Sequence, residues 1–197
     1  MENIKGSIGY LGLTDWWLNE LSHEDRGIIL ANYNPMGSSS ELLTEGDISW
    51  TTEEPIPLLY GIASWLKDSE HLDLCMKLFA KAKSLITPGT SALDIHFLHD
   101  SEIRVYYKNR HLIGLEPTIT ACDLQIRVAD MSAKKLLIEY GYPLPSHRGY
   151  QQLSIILSNL YQYQRAIDLC IQAQGLGWSG DWDKRIVRYT KKMRENR

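Results

Sequence analysis

The sequence predicts an all-α protein, and three observations carry that prediction. From Pro57 onward apolar residues recur at alternating spacings of three and four. The segments with that pattern are separated by clusters of Pro, Gly and Ser. No short run of alternating β-branched residues bounded by turns reads as a strand. The expected layout is an N-terminal helical segment with a loop over residues 1–50, packed on three helical hairpins and a terminal capping helix. Residues 51–197 are expected to form one continuous domain.

Along the chain, Thr14 is placed as the N-cap of "DWWLNEL" with Asp15 in the first turn, and Ser22 with Asp25 approximates a capping box opening "HEDRGIILANY". "NPMGSSSELLTEGD", Asn34 to Asp47, combines Pro, Gly and three serines and is expected as a flexible connection. Pro57 fits the first turn of a helix through "LLYGIASWLK", and Asp68 or Ser69 can cap "EHLDLCMKLFAKAKSLI". In that helix Leu72, Cys75, Phe79, Ala82 and Ile86 share one face, while Glu70, Asp73, Lys77, Lys81 and Ser84 take the other. Thr87-Pro88-Gly89 stops it.

A second antiparallel pair, "SALDIHFLHDSEIRVYYKNR" and "GLEPTITACDLQIRVADMS", turns around His111 to Gly114, with Pro117 in a first helical turn. A shorter helix, "AKKLLIEYG", ends at Gly141. "YPLPSHRG" then breaks the chain with two prolines, and Ser146 is expected to cap the next helix. The third pair is "YQQLSIILSNLY" and "YQRAIDLCIQAQGLG", and the last helix is "DWDKRIVRYTKKMREN".

Composition narrows the function classes. With 44% hydrophobic and 23% charged residues the chain has the balance of a folded globular protein. No apolar run is long enough to span a bilayer, and "MENIKGSIGYLGLTDWW" lacks the features of a secretory signal, so a cytoplasmic location is expected. Cys75, Cys122 and Cys170 cannot all pair within one chain and form no Cys-x-x-Cys; they read as small buried residues. The net charge of −3 conceals an asymmetry, because residues 184–197 hold seven Lys or Arg against one Glu. Six Trp and eleven Tyr against two Phe favour positions buried on one side and wet on the other, as at helix edges, grooves and interfaces.

The three cysteines also mark a repeat. Each lies in the second helix of a pair, in "HLDLCMKLF", "TITACDLQI" and "RAIDLCIQA", at nearly equal spacing. The last pair resembles the tetratricopeptide repeat: with Ala166 on the small residue that opens the second helix, Tyr150, Leu153, Ser154 and Leu157 fall on the first-helix signature, and Tyr163, Cys170 and Ala173 on the second. By the same offsets the first pair supplies Leu59, Ile62, Ala63, Leu66, Leu72, Cys75, Phe79 and Ala82, while the middle pair matches through Ile119, Cys122, Ile126 and Ala129. The C-terminal segment is also similar to those of uncharacterised bacterial and phage proteins, which implies no mechanism.

The resemblance implies stacked helical hairpins whose first helices line a peptide-binding surface. On that reading Tyr60, Trp65, Arg104, Tyr107, Lys108, Gln152 and Asn159 are candidate groove residues. The stack needs a terminal element with one polar face. In "GLGWSGDWDKR" Trp178 falls where the unit ends, Ser179 and Gly180 make the turn, and Asp181 and Asp183 sit in the first turn of the capping helix. Trp182, Ile186, Tyr189 and Met193 form that helix's inner stripe, and Lys184, Arg185, Arg188, Lys191 and Lys192 lie off it as a basic, solvated face.

Competing chemistries are thinly represented. His96, His99 and Asp100, with Asp94 upstream, could gather as metal ligands, although the spacing is not that of a zinc-protease helix. Ser146 and His147 in "PSHRG" are the nearest local nucleophile and base. There is no nucleophile elbow, phosphate-binding loop or dinucleotide fingerprint. The expectation is a non-enzymatic module without a cofactor that binds a protein or peptide, compatible with a homodimer through the aromatic surface and with no membrane association. A metal-dependent or other enzyme is the first alternative. Nucleic-acid binding by the C-terminal basic face is the second.

Overall fold

The computed structural model describes residues 4–35, 40–66 and 69–196. Among them the regular secondary structure is all helical, apart from an isolated parallel bridge between Ser146 and Ser179. It divides into two compact units, Met1–Pro88 and Gly89–Arg197, with the boundary at the predicted helix stop. The helical pair at residues 55–84 therefore belongs with the N-terminal helices, although its sequence pattern is shared with the later pairs.

The first unit contains α1 (Gly6–Tyr10), α2 (Thr14–Asn19), α3 (His23–Asn32), α4 (Pro55–Trp65) and α5 (Leu72–Ser84), with 3₁₀ turns at Ser40–Leu43 and Ser69–His71. The predicted capping box is present: the Asp25 amide donates to Ser22 Oγ at 3.0 Å, and the Ser22 amide donates to Asp25 Oδ2 at 2.9 Å. Thr14 is not a cap. It is the first helical residue of α2, because Leu13 comes directly out of the α1 turn, its amide bonded to Ile8 O and its carbonyl accepting from Trp17. Pro55 opens α4, which leaves Pro57 within the first turn. Asp68 lies outside the described residues, and Ser69 opens a 3₁₀ turn instead of capping α5, whose cap position is His71.

Part of the expected flexible connection, residues 36–39, also lies outside the described residues. Its later part is packed: Leu43 is buried, and the amides of Lys5 and Gly6 donate to Thr44 O and Gly46 O, each at 3.0 Å. Gly6 is required at this crossing. Its φ is +57°, and a Cβ there would lie 2.4 Å from Leu42 O. Arg26 Nη1 donates to the carbonyls of Trp17, Leu18 and Leu21, satisfying groups left free where α2 ends.

The second unit contains α6 (Ala92–Lys108), α7 (Arg110–Ile113), α8 (Glu116–Arg127), α9 (Ala129–Tyr140), α10 (Arg148–Asn159), α11 (Tyr163–Gly175) and α12 (Trp182–Glu195). Helix α6 packs on α8 and α9, α8 on α10, α10 on α11, and α11 on α12. The predicted helix through "ITACDLQIRVADMS" is broken at Val128, where α8 ends and α9 begins. Ser132 Oγ holds the bend, lying 2.8 Å from Val128 O and 3.1 Å from Ala92 O on α6. The three cysteines sit on α5, α8 and α11, each fully buried.

Candidate functional site

The most chemically loaded region of the second unit is its interior. Gln125 on α8 is fully buried, and its amide spans two neighbours: Nε2 donates to His96 O on α6 at 3.2 Å, while Oε1 accepts from the Gly149 amide on α10 at 2.6 Å. Glycine at 149 permits this approach, since a Cβ would lie 2.8 Å from Gln125 Oε1 and 3.0 Å from Cys122 O.

Against this tie sit His96 and His147, 3% and 0% exposed, with ring centroids 5.0 Å apart. Trp178 covers both. Its ring stacks on His96 at 5.4 Å with a 3° interplanar angle and meets His147 edge-on at 4.7 Å. His147, not Ser146, is the N-cap of α10: its Nδ1 accepts from the Tyr150 amide at 3.4 Å. Ser146 instead faces solvent and pairs through its backbone with Ser179, whose amide donates to Pro145 O and whose hydroxyl donates to Leu144 O. Ser146 and His147 thus face different environments.

Burial pushes the His96 imidazole down to about 4, with Asp100 opposing and His99 adding to the shift. Burial, reinforced by His96, pushes His147 down to about 3. Both rings are neutral near pH 7. Among the described residues, His96 Nδ1, His147 Nε2, Trp178 Nε1 and the Tyr150 hydroxyl have no hydrogen-bond partner. At this burial neither imidazole can reach a substrate, so the pair is a packed polar layer under Trp178.

The candidate ligand trio His96, His99 and Asp100 is split among other partners. His99 Nδ1 lies 2.6 Å from Glu102 Oε2, and Glu102 Oε1 accepts from the Tyr106 hydroxyl at 3.2 Å. Asp100 is an ion-pair hub, receiving Arg104 Nη2 and Arg148 Nε at 2.9 Å each and so joining α6 to α10. Among the described residues no three His, Cys, Asp or Glu side chains are arranged to hold a metal.

"GLGWSGDWDKR" is a joint. Gly177 adopts φ +83°, Trp178 is buried, and its carbonyl accepts from Trp182 Nε1 at 2.6 Å. Asp181 stands at the α12 cap, but its carboxylate pairs with Arg185 at 2.5 Å, a contact that holds it below the usual carboxylate range, and with Arg188 at 3.5 Å. Asp183 accepts from Gln174 on α11 at 3.0 Å. Trp182 and Tyr189 are buried, with Ile186 and Met193 partly covered. Lys184, Arg188 and Lys191 are exposed, while Arg185 and Lys192 are half-buried.

The predicted groove residues fall in both units. In the first, Tyr60 is half-buried on α4 and Trp65 is exposed beside Tyr33, edge-on at 6.2 Å. In the second, Arg104 is bound to Asp100, and Tyr107 lies beneath Arg110 at 4.2 Å. Lys108 and Asn159 are exposed, and Gln152 is half-buried.

An apolar surface outside the predicted groove lies at the end of α9. An open hollow of about 470 Å³ is lined by Leu136, Tyr140, Gly141, Pro143, Leu144, Pro145 and Ser179. Of these Tyr140 is 77% exposed, and Tyr142, between the lining residues Gly141 and Pro143 in the chain, is 80% exposed; Ile138, 85% exposed, lies two residues from Leu136 and Tyr140 and so on another side of α9. Its only mark in the sequence is a pair of tyrosines flanking the helix-ending Gly141, followed by two prolines. In the first unit a more polar hollow of about 380 Å³ is lined by Trp16, Glu20, Lys77, Ala80, Lys81 and Ser84.

Comparison of the chain with protein-family models, curated proteins and solved structures finds no match to any of them.

Proposed function

We propose that this chain is a protein-interaction module that holds a protein or peptide segment on the α9 end of its second unit. The observation that carries the reading is the coincidence of the apolar hollow with Tyr140, a lining residue left 77% exposed, and with the equally exposed Tyr142 on the far side of Gly141 in the chain. Contiguous exposed apolar surface of this kind is a mark of binding sites, and tyrosine anchors bring large contact area at low entropy cost. The hollow is walled by Pro143 and Pro145, so it is preformed and costs little ordering on binding. The resemblance of residues 150–173 to tetratricopeptide repeats supports the class of function, and three free buried thiols fit a reducing compartment such as the cytosol.

The test is affinity capture of the tagged protein beside two double variants, Tyr140→Ser with Tyr142→Ser, and Tyr107→Ala with Gln152→Ala. A specific protein held by the wild type and lost at least about tenfold in the first variant, which corresponds to a hot-spot contribution, supports the α9 surface. Loss in the second variant alone moves the site to the α6–α10 face. Retention by both folded variants rejects the reading.

A further inference from the structure

We infer that two copies of this chain associate through opposite charges, α12 of one copy meeting the acidic segment 41–54 of another. This contact is independent of the α9 surface. Its basis is a charge asymmetry between compact units: residues 1–88 carry thirteen carboxylates against six Lys or Arg, while residues 89–197 carry fifteen Lys or Arg against eleven carboxylates.

Each surplus is concentrated on one element. Helix α12 holds six Lys or Arg against Asp183 and Glu195. Its outward side presents Lys184, Val187, Arg188, Lys191 and Arg194, all exposed, at spacings of three, one, three and three. Arg185 and Arg188 are partly neutralised by Asp181, and Lys191 approaches Glu195 at 3.7 Å, so the face is cationic chiefly at Lys184 and Arg194. Segment 41–54 holds Glu41, Glu45, Asp47, Glu53 and Glu54 with no Lys or Arg. Lys5 partly neutralises Asp47 at 3.1 Å, which leaves the segment anionic through Glu45, Glu53 and Glu54.

Each charged element also carries an apolar residue in water. Val187 is 70% exposed in the middle of the basic face, and Trp50 is 75% exposed within the acidic segment. A tryptophan flanked in sequence by Asp47, Glu53 and Glu54 fits an aliphatic residue flanked along its helix by Lys184, Arg188 and Lys191, because the ring gains burial and the charges set orientation. Each copy supplies both halves, so the contact between copies needs no other partner.

The occupant favoured here is a second copy because the acidic-aromatic counterpart is in the chain itself. A nucleic-acid backbone would satisfy the cations but offers nothing to Trp50.

The experiment is light scattering of the full chain at roughly 10–200 μM in low and high salt, a range over which charge pairing between surfaces is progressively screened. Variant one is Lys184→Glu with Arg194→Glu, and variant two is Glu45→Lys with Glu54→Lys. The expected result is a dimer at low salt that weakens about tenfold or more in high salt. Each variant alone should be monomeric, and an equimolar mixture should dimerise again, because the reversed helix of one then meets the reversed segment of the other. Recovery in the mixture also shows that both variants are folded. Trp50→Ala should weaken the dimer without changing its salt dependence. A wild type that stays monomeric throughout overturns the inference, as does a dimer unaffected by salt or by either variant. Monomers that bind a DNA or RNA duplex through Lys184 and Arg194 overturn it too.

Discussion

His96 and His147 show how the second unit uses polarity inside a packed interior. His147 is placed by Nδ1 accepting from the Tyr150 amide and both rings by the face or edge of Trp178, and each is neutral because charge in that position would be desolvated. Both folded-state values lie below the ordinary histidine value of 6.5. The unfolded chain therefore binds more protons as pH falls below about 6.5, and stability present above that pH is lost progressively toward pH 4 and then 3. Each ring contributes up to roughly 1.4 kcal/mol per pH unit within its window. The urea midpoint should fall between pH 7.5 and pH 5, where carboxylates remain largely ionised. In His147→Asn, which keeps a capping acceptor, the fall should shrink by about half. Equal midpoints at the two pH values would contradict this account.

At the level of elements, the close pairing of α8 with α10 depends on Gly149 and Gln125. The Gln125 amide satisfies a backbone carbonyl on α6 and a backbone amide on α10, and it can do so only where a residue without Cβ lets the helices approach. Gly149→Ala places a methyl against the Cys122 carbonyl, which is backbone and moves only with its helix. We expect a loss of about 1–3 kcal/mol, the usual range for overpacking an interior, read as a lower urea midpoint. An unchanged midpoint would mean that α8 and α10 are free to separate. In the first unit the Ser22–Asp25 box and the Lys77–Asp25 pair at 2.7 Å act together, the first starting α3 and the second attaching it to α5.

For the molecule as a whole, the cysteines report on the two units. Cys75 lies in the first and Cys122 and Cys170 in the second, and all three are fully buried. Burial pushes the Cys75 and Cys122 thiols up to about 12 and raises Cys170, so thiolate is scarce at pH 7.5 even before access is considered. A thiol reagent should find no reactive group in the native protein. Through a urea titration one thiol should appear in one transition and two in another, because separate compact units have their own cores. Simultaneous appearance of all three would show that the units unfold as one.

Local sequence specifies the helices, most of their ends and the buried faces, because a 3.6-residue period, Pro, Gly and the Ser22–Asp25 box act over a few residues. It also marks residues 175–185 as a joint and the cysteines as core positions. Contact between distant residues is not written in it. His96, Gln125, His147 and Trp178 lie tens of residues apart and acquire meaning only when α6, α8 and the α10 entry converge, so the candidate metal trio dissolves into three separate partnerships. Ser146 yields the cap to His147 for the same reason: Ser179 holds the carbonyls of Leu144 and Pro145 just before it and fixes the chain's entry into α10. The break at Val128, the grouping of α4 and α5 with the N-terminal helices, and the exposed tyrosines at the end of α9 are likewise settled by packing. Local preference fixes which residues form a helix, whereas the competition among helices for apolar cover decides where each helix lies and which side chains are left in water.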